Sequence, residues 1–180
     1  MPPAVSAQLD LVGLTRALVD IDSTTGSEAP AGRWLADYLR AQSFTVIEQP
    51  VDDGRFNVLA SVAPNPVVVF STHFDCVPPF FPSRVEGGRI YGRGSCDAKG
   101  ILAAQIAAAD VLRRSGETRV GMLFVVGEER GSDGAKASAP LAAGCRYLVN
   151  GEPTDLRLGL ATRGLYRVKL AVPGAPAVYR

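Results

Sequence analysis

Histidine is almost absent from this chain: among 180 residues there is one, His73. Any site the chain builds has a single imidazole to work with. Cysteine is nearly as scarce. Cys76, Cys96 and Cys145 are an odd number with no close pairing, which argues against a disulfide framework and fits a reducing, cytoplasmic setting. An excess of either charge is missing too, with 19 basic residues against 18 acidic ones and a net charge of +1. That balance calls for neither nucleic acid nor an anionic membrane as partner. Long apolar runs are also lacking. The strongest, Val67 to Phe70, falls far short of the ~20 residues that span a bilayer. Met1-Pro2-Pro3 opens no basic segment followed by an apolar stretch, so no secretory leader is expected.

What remains is ordinary for a soluble globular protein: 47% hydrophobic and 21% charged residues, in a length that suits one domain or part of one. Helical and extended segments alternate. Leu11, Leu14, Leu18 and Ile21 recur at helical spacing after Ser6, a candidate N-cap. A second helix is expected from about Ser27, with Pro30 in its first turn and Trp34, Leu35, Tyr38 and Leu39 inward. Extended segments follow at Phe44–Glu48, Phe56–Val62 and Val67–Thr72, the last apolar throughout like a strand covered on both faces. A Pro- and Phe-rich loop leads to a hairpin turning at Gly87-Gly88. A long Ala-rich helix spans Ala98 to Arg114, with Leu102, Ile106, Ala109 and Leu112 on one stripe and Ser115-Gly116 as its stop. Val120–Val126 reads as another buried strand, then a short helix between Ser132 and Ala143. Tyr147–Val149, Leu158–Ala161 and Leu165–Val172 complete the expected strands. This alternation predicts an α/β layered sheet.

Ligands of open α/β sheets sit beyond the carboxyl ends of the strands, and here those ends carry chemistry. Val67–Thr72 runs into His73-Phe74-Asp75, and Val120–Val126 into Gly127-Glu128-Glu129. Tyr147–Val149 runs into Asn150-Gly151-Glu152-Pro153-Thr154. A loop entering the long helix adds Tyr91-Gly92-Arg93-Gly94-Ser95-Cys96-Asp97-Ala98-Lys99-Gly100. Imidazole and carboxylates together suit zinc, cobalt or manganese, whereas the lack of thiolate pairs argues against a structural zinc. Carboxylates crowded at one rim repel one another unless a cation neutralises them. Asp75 is placed to hold the second ring nitrogen of His73. Of two adjacent glutamates, one can bind metal while the other takes a proton from water. Each piece has a plainer reading: His73 as a hydrogen-bonded core residue, Glu128-Glu129 as a solvated loop, Asp97 as a helix cap. Their joint placement at strand ends favours the site.

As an ordered set, His73-Phe74-Asp75, the Tyr91–Gly100 segment, Glu128-Glu129 and Gly151-Glu152-Pro153-Thr154 resemble the metallohydrolases related to acetylornithine deacetylase, succinyl-diaminopimelate desuccinylase, aminoacylase and carboxypeptidase G. The resemblance runs from the first helix to about Leu170. It implies a three-layer fold with a mostly parallel central sheet and helices on both faces, here incomplete. It implies hydrolysis of amide bonds in N-acyl amino acids or small peptides, with the Gly151-Glu152-Pro153-Thr154 form leaning toward acetylornithine deacetylase. Asp97 would bridge two metal ions. His73 and Glu152 would complete the ligands of one, and Glu129 would bind the other. Glu128 would be the general base, Asp75 would orient His73, and the Asp97–Ala98 peptide would be cis.

Members of that family are about twice as long, with an inserted lid that commonly dimerises and further histidines on and after the lid. The resemblance therefore implies that residues 1–162 are the first half of a catalytic domain and 163–180 the start of a lid. Gly174-Ala175-Pro176-Ala177-Val178-Tyr179-Arg180 departs from the expected Gly-x-x-Ala-His-Ser pattern, as in a fragment or a reading-frame change near Pro173. One zinc (or cobalt or manganese) held by this chain, little turnover, and a homodimer only for a longer form are the expectations. A non-catalytic metal- or small-ligand-binding module is the alternative. A cysteine hydrolase using Cys76 or Cys96 ranks third.

Overall fold

The computed structural model describes residues 9–142, 144–161, 164 and 168. Helix α1 (Leu11–Val19) is capped by Asp10, whose carboxylate accepts from the Gly13 N–H at 2.9 Å. The expected cap, Ser6, lies outside the described residues. Leu14, Thr15, Leu18 and Val19 form the buried face of α1, while Leu11 stays exposed. Helix α2 (Ala29–Ala41) carries its proline in the first turn and buries Leu35 and Leu39 completely. Trp34 and Tyr38, one turn apart, stack with ring centroids 5.3 Å apart at the margin of the core.

Strands β1 (Thr45–Asp52) and β2 (Arg55–Ser61) form an antiparallel hairpin. Its two-residue turn is Asp53-Gly54, both with positive φ. Asp-Gly is the favoured pair for such a turn, so this hairpin had a sequence signal beside the one at Gly87-Gly88. Strand β3 (Val68–His73) leads to a small hairpin of β4 (Arg84–Glu86) and β5 (Arg89–Tyr91), which does turn at Gly87-Gly88. Helix α3 (Lys99–Arg114) follows, then β6 (Val120–Val125), the short helix α4 (Asp133–Ser138) and β7 (Tyr147–Asn150).

The central sheet runs β1-β2-β6-β3-β7. β3 is parallel to both β6 and β7, whereas β1–β2 and β2–β6 are antiparallel. The sheet is thus mixed, and its parallel part is where the expected site residues emerge. Alternation along β2 sorts the layers. Phe56, Val58 and Ala60 join the core built by α1, α2 and α3. Asn57, facing the other way, donates to the Gly134 carbonyl of α4 at 2.8 Å. Helices therefore cover both faces, as expected.

Leu158–Ala161, expected as a strand, pairs with no strand among the described residues, and Leu158 and Leu160 stand almost fully in solvent. Apolar composition alone cannot make a strand without a partner edge. Leu165–Val172 and the lid segment 163–180 lie almost wholly outside the described residues. No described helix is long and apolar enough to cross a membrane.

Helix α3 anchors the core through Leu102, Ala103 and Ile106, each 0% exposed. Leu102→Ala is expected to cost about 2–5 kcal/mol of stability in urea unfolding. Val111→Ala, on the exposed face of the same helix, should stay within about 0.5 kcal/mol of the parent.

Candidate metal centre

The end of β3 delivers His73 into a buried position, with its ring 1% exposed. The Nδ1 atom lies 3.0 Å from the Asp75 carbonyl and 3.3 Å from the Asp75 carboxylate. Both are acceptors, so Nδ1 carries the proton and Nε2 is left facing the rim. There Nε2 meets Asp97 Oδ1 at 2.9 Å, Glu152 Oε2 at 3.9 Å and Glu128 Oε2 at 4.0 Å. One donor atom each from His73, Asp97 and Glu129 lies within 4.8 Å of the others. All six residues singled out from the sequence thus meet at one rim. Glu152 lies 3.9 Å from His73 Nε2, nearer than any Glu129 oxygen, but among the described residues only Glu129 completes a trio with His73 and Asp97 in which all three atoms lie within 4.8 Å of one another.

Local chain geometry explains the convergence. After β6, Gly127 takes φ 68°, a left-handed turn that favours glycine. That turn aims the next two N–H groups back at Asp75: Glu128 N donates to Oδ1 at 3.0 Å and Glu129 N to Oδ2 at 3.2 Å. Gly94, at φ 82°, lets the loop before Asp97 press on Cys76, whose Sγ would lie 2.5 Å from any added Cβ. The peptide between Asp97 and Ala98 is cis, as expected. Glu152 is placed by the parallel β3–β7 pair, where Gly151 N donates to the Ser71 carbonyl and Thr72 Oγ1 to the Gly151 carbonyl, both at 2.8 Å.

The electrostatics are those of a site short of positive charge. Burial, then the Asp97 charge, pushes the Glu129 carboxyl above the usual range against the pull of His73. Burial raises Glu152 as well, helped by Glu128 and Asp97. Burial alone would lower His73, but Asp75 first, then Glu152 and Asp97, lift it to about 9. Asp75 is held below the usual carboxylate range, its own burial outweighed by His73, Thr25 and the Glu128 N–H. One imidazole nitrogen and several carboxylates that resist sharing negative charge are a donor set that fits a divalent cation. Cys76 is a poor nucleophile here: its thiol is buried and burial pushes its pKa up.

The model of Peptidase family M20/M25/M40 matches residues 69–179, a stretch that includes every one of these site residues. The chain belongs to this peptidase family. A probable carboxypeptidase of Aspergillus terreus is 41% identical over 183 residues, covering 90% of this chain and 42% of that protein. This M20 chain therefore spans about two fifths of that relative's length. A tripeptidase from Staphylococcus aureus superposes with a TM-score of 0.67 at 24% identity, over 80% of this chain and 43% of that one. A dinuclear metal-binding peptidase of family M20 from Bacillus subtilis gives 0.58 at 20% identity, over 78% and 41% of the two chains. These likenesses show the fold of the M20 catalytic layer.

Sequence reasoning missed one layer of the site. The Asp22–Glu28 loop contacts the back of it, and its Ser, Thr and Gly residues carry no signal beyond that of a turn.

In the metal-free chain the one imidazole resonance should titrate near pH 9 by NMR. Because this pKa lies above the ordinary 6.5, the stability the proton lends the metal-free fold is complete below about pH 6.5 and lost as pH rises through about 9. A midpoint at or below 6.5 would contradict the arrangement around Asp75.

Proposed function

We propose that this chain is the metal-holding part of a peptidase that hydrolyses amide bonds in short peptides or N-acyl amino acids. The observation that carries the reading is the meeting of His73, Asp97 and Glu129 within 4.8 Å, with Glu128 and Glu152 at their edge. Zinc, cobalt or manganese suits these donors. Such an ion, when bound, polarises the scissile carbonyl and makes water a nucleophile at neutral pH.

The chain's own residues supply the rest. His73, Asp97, Glu129 and Glu152 would hold the cation. Asp75 fixes the ring of His73 so that Nε2 is the ligating nitrogen. Glu128 needs no place among the ligands. Its carboxylate takes the proton of the attacking water and returns it to the leaving amine. The carboxypeptidase name of the fungal relative supports cleavage beside a free C-terminal carboxylate. Removal of an acyl group from an N-acyl amino acid, acetylornithine included, is the same bond cleavage with an acyl in place of a peptidyl group.

Ligand count sets the expectation for this chain by itself. Three or four protein ligands gather around His73, enough for one zinc, and the sequence holds no second histidine for another. Calorimetric titration of the metal-free chain should give about one tight zinc, with little hydrolysis of N-acetyl amino acids or dipeptides. Asp97→Ala should abolish tight binding, whereas Glu128→Gln should keep it. No zinc binding at all would overturn the metal reading. Two tight sites with rapid turnover would overturn the count.

A further inference from the structure

The geometry points to Thr25 as a positioning residue of the metal centre, acting through Asp75 from a loop that clamps the site from behind. The inference rests on the metal reading of His73, Asp97 and Glu129. Asp75 is 0% exposed, and a buried carboxylate keeps one orientation only if its lone pairs are filled. Oδ1 faces the Glu128 N–H at 3.0 Å and His73 Nδ1 at 3.3 Å. Oδ2 takes the Thr25 hydroxyl at 2.8 Å and the Glu129 N–H at 3.2 Å. Thr25 supplies the shortest of these bonds and the only one from outside the rim itself. Without it Oδ2 keeps a single donor, the Glu129 N–H at 3.2 Å, and the carboxylate is held less firmly. Any tilt of the carboxylate would shift the ring of His73 and both glutamate N–H groups together.

The loop that carries Thr25 is fastened to the segments that carry His73 and Asp97 and to Arg55. Ser23 Oγ donates to the Phe74 carbonyl at 2.6 Å, Cys76 N to the Ser23 carbonyl at 3.0 Å, and Thr25 N to the Cys76 carbonyl at 3.1 Å. These bonds lock the loop to the segment that holds His73 and Asp75. Lys99 Nζ, buried two residues after Asp97, donates to the Ile21 carbonyl at 2.7 Å. At the far end Glu28, 0% exposed, accepts from Gly26 N at 2.8 Å and pairs with Arg55 at 3.2 Å. Arg55 in turn pairs with Asp133 at 3.3 Å, beyond the Glu128-Glu129 turn. The loop thus has a fixed frame from which the Thr25 hydroxyl can hold Asp75.

The test uses the 180-residue chain, with zinc titration and the imidazole nitrogen shifts of His73 at one pH as readouts. Thr25→Val removes the donor at nearly constant volume. It should weaken zinc by about 10- to 100-fold, the usual range for a residue behind a ligand, and displace the Nδ1 resonance of the metal-free chain. Thr25→Ser restores the hydroxyl and should return both to the parent values. Leu39→Ala opens a core cavity ten residues along α2 from the start of that helix. It should lower the melting temperature while leaving zinc affinity and the His73 shifts near the parent's. Should Thr25→Val fail to fold, Thr25→Ala removes the same donor without added branching, with the same losses expected. Parent-like zinc affinity and His73 shifts in the variant lacking the hydroxyl would overturn the inference. If the parent binds no zinc, the metal reading falls and the Nδ1 shift alone decides: unchanged without the hydroxyl, it overturns the role of Thr25.

Discussion

A single buried carboxylate, that of Asp75, sets the geometry on which this site depends. It accepts from an imidazole, a hydroxyl and two consecutive backbone N–H groups. A charge so far from water is tolerated only when it is this fully hydrogen-bonded. The consequence is mechanical as well as electrostatic. His73 comes from β3, Glu128 and Glu129 from the turn after β6, and Thr25 from the loop before α2. One carboxylate makes these separate pieces of chain mutually dependent. The rim above it then collects Asp97 and Glu152, whose negative charge has nowhere to go without a cation.

The mixed sheet serves this arrangement. On its antiparallel side, β1–β2–β6, strands β2 and β6 are well buried, with Phe56, Val58 and Phe124 in the core, while β1 is a largely exposed edge. Its parallel side, β6–β3–β7, places successive strand ends at one edge, so that His73, the Glu128-Glu129 turn and Glu152 arrive together. On that side the molecule is open. Every residue of β7 is exposed, as are Leu156, Leu158 and Leu160. A cleft of about 500 Å³ lies between α3 and the loop after β7, with the buried Gln105 Oε1 in it lacking a hydrogen-bond partner. Among the described residues nothing covers this surface. The antiparallel half is open as well, at the β1 edge where Ile47 is exposed, but no site residue lies there.

Much of this was legible from residue order alone. Helical spacing gave α3 nearly to the residue and the start of α2 to within two residues, and the Gly87-Gly88 turn gave the small hairpin. All six site residues were readable because each sits directly after a strand or at a helix start, where the chain must turn and chemistry collects. Other features were not. Tyr147–Val149 and Leu158–Ala161 look equally strand-like in composition, yet among the described residues only the first finds a neighbour, β3. The mixed direction of the sheet was likewise silent, because apolar runs do not record which way a neighbouring strand points.

The amino-acid sequence by itself determined the layered α/β class, the six candidate site residues and the limit of one imidazole. Those are properties of local pattern and count. Only the tertiary structure decided that Thr25, fifty residues from Asp75, completes its hydrogen bonds, that Glu28 and Arg55 brace the same loop, and that one donor atom each from His73, Asp97 and Glu129 lies within 4.8 Å of the others. Such contacts join residues with no fixed separation along the chain. Spacing repeats within a helix or strand, whereas a hydrogen bond across loops depends on where folding has carried both ends.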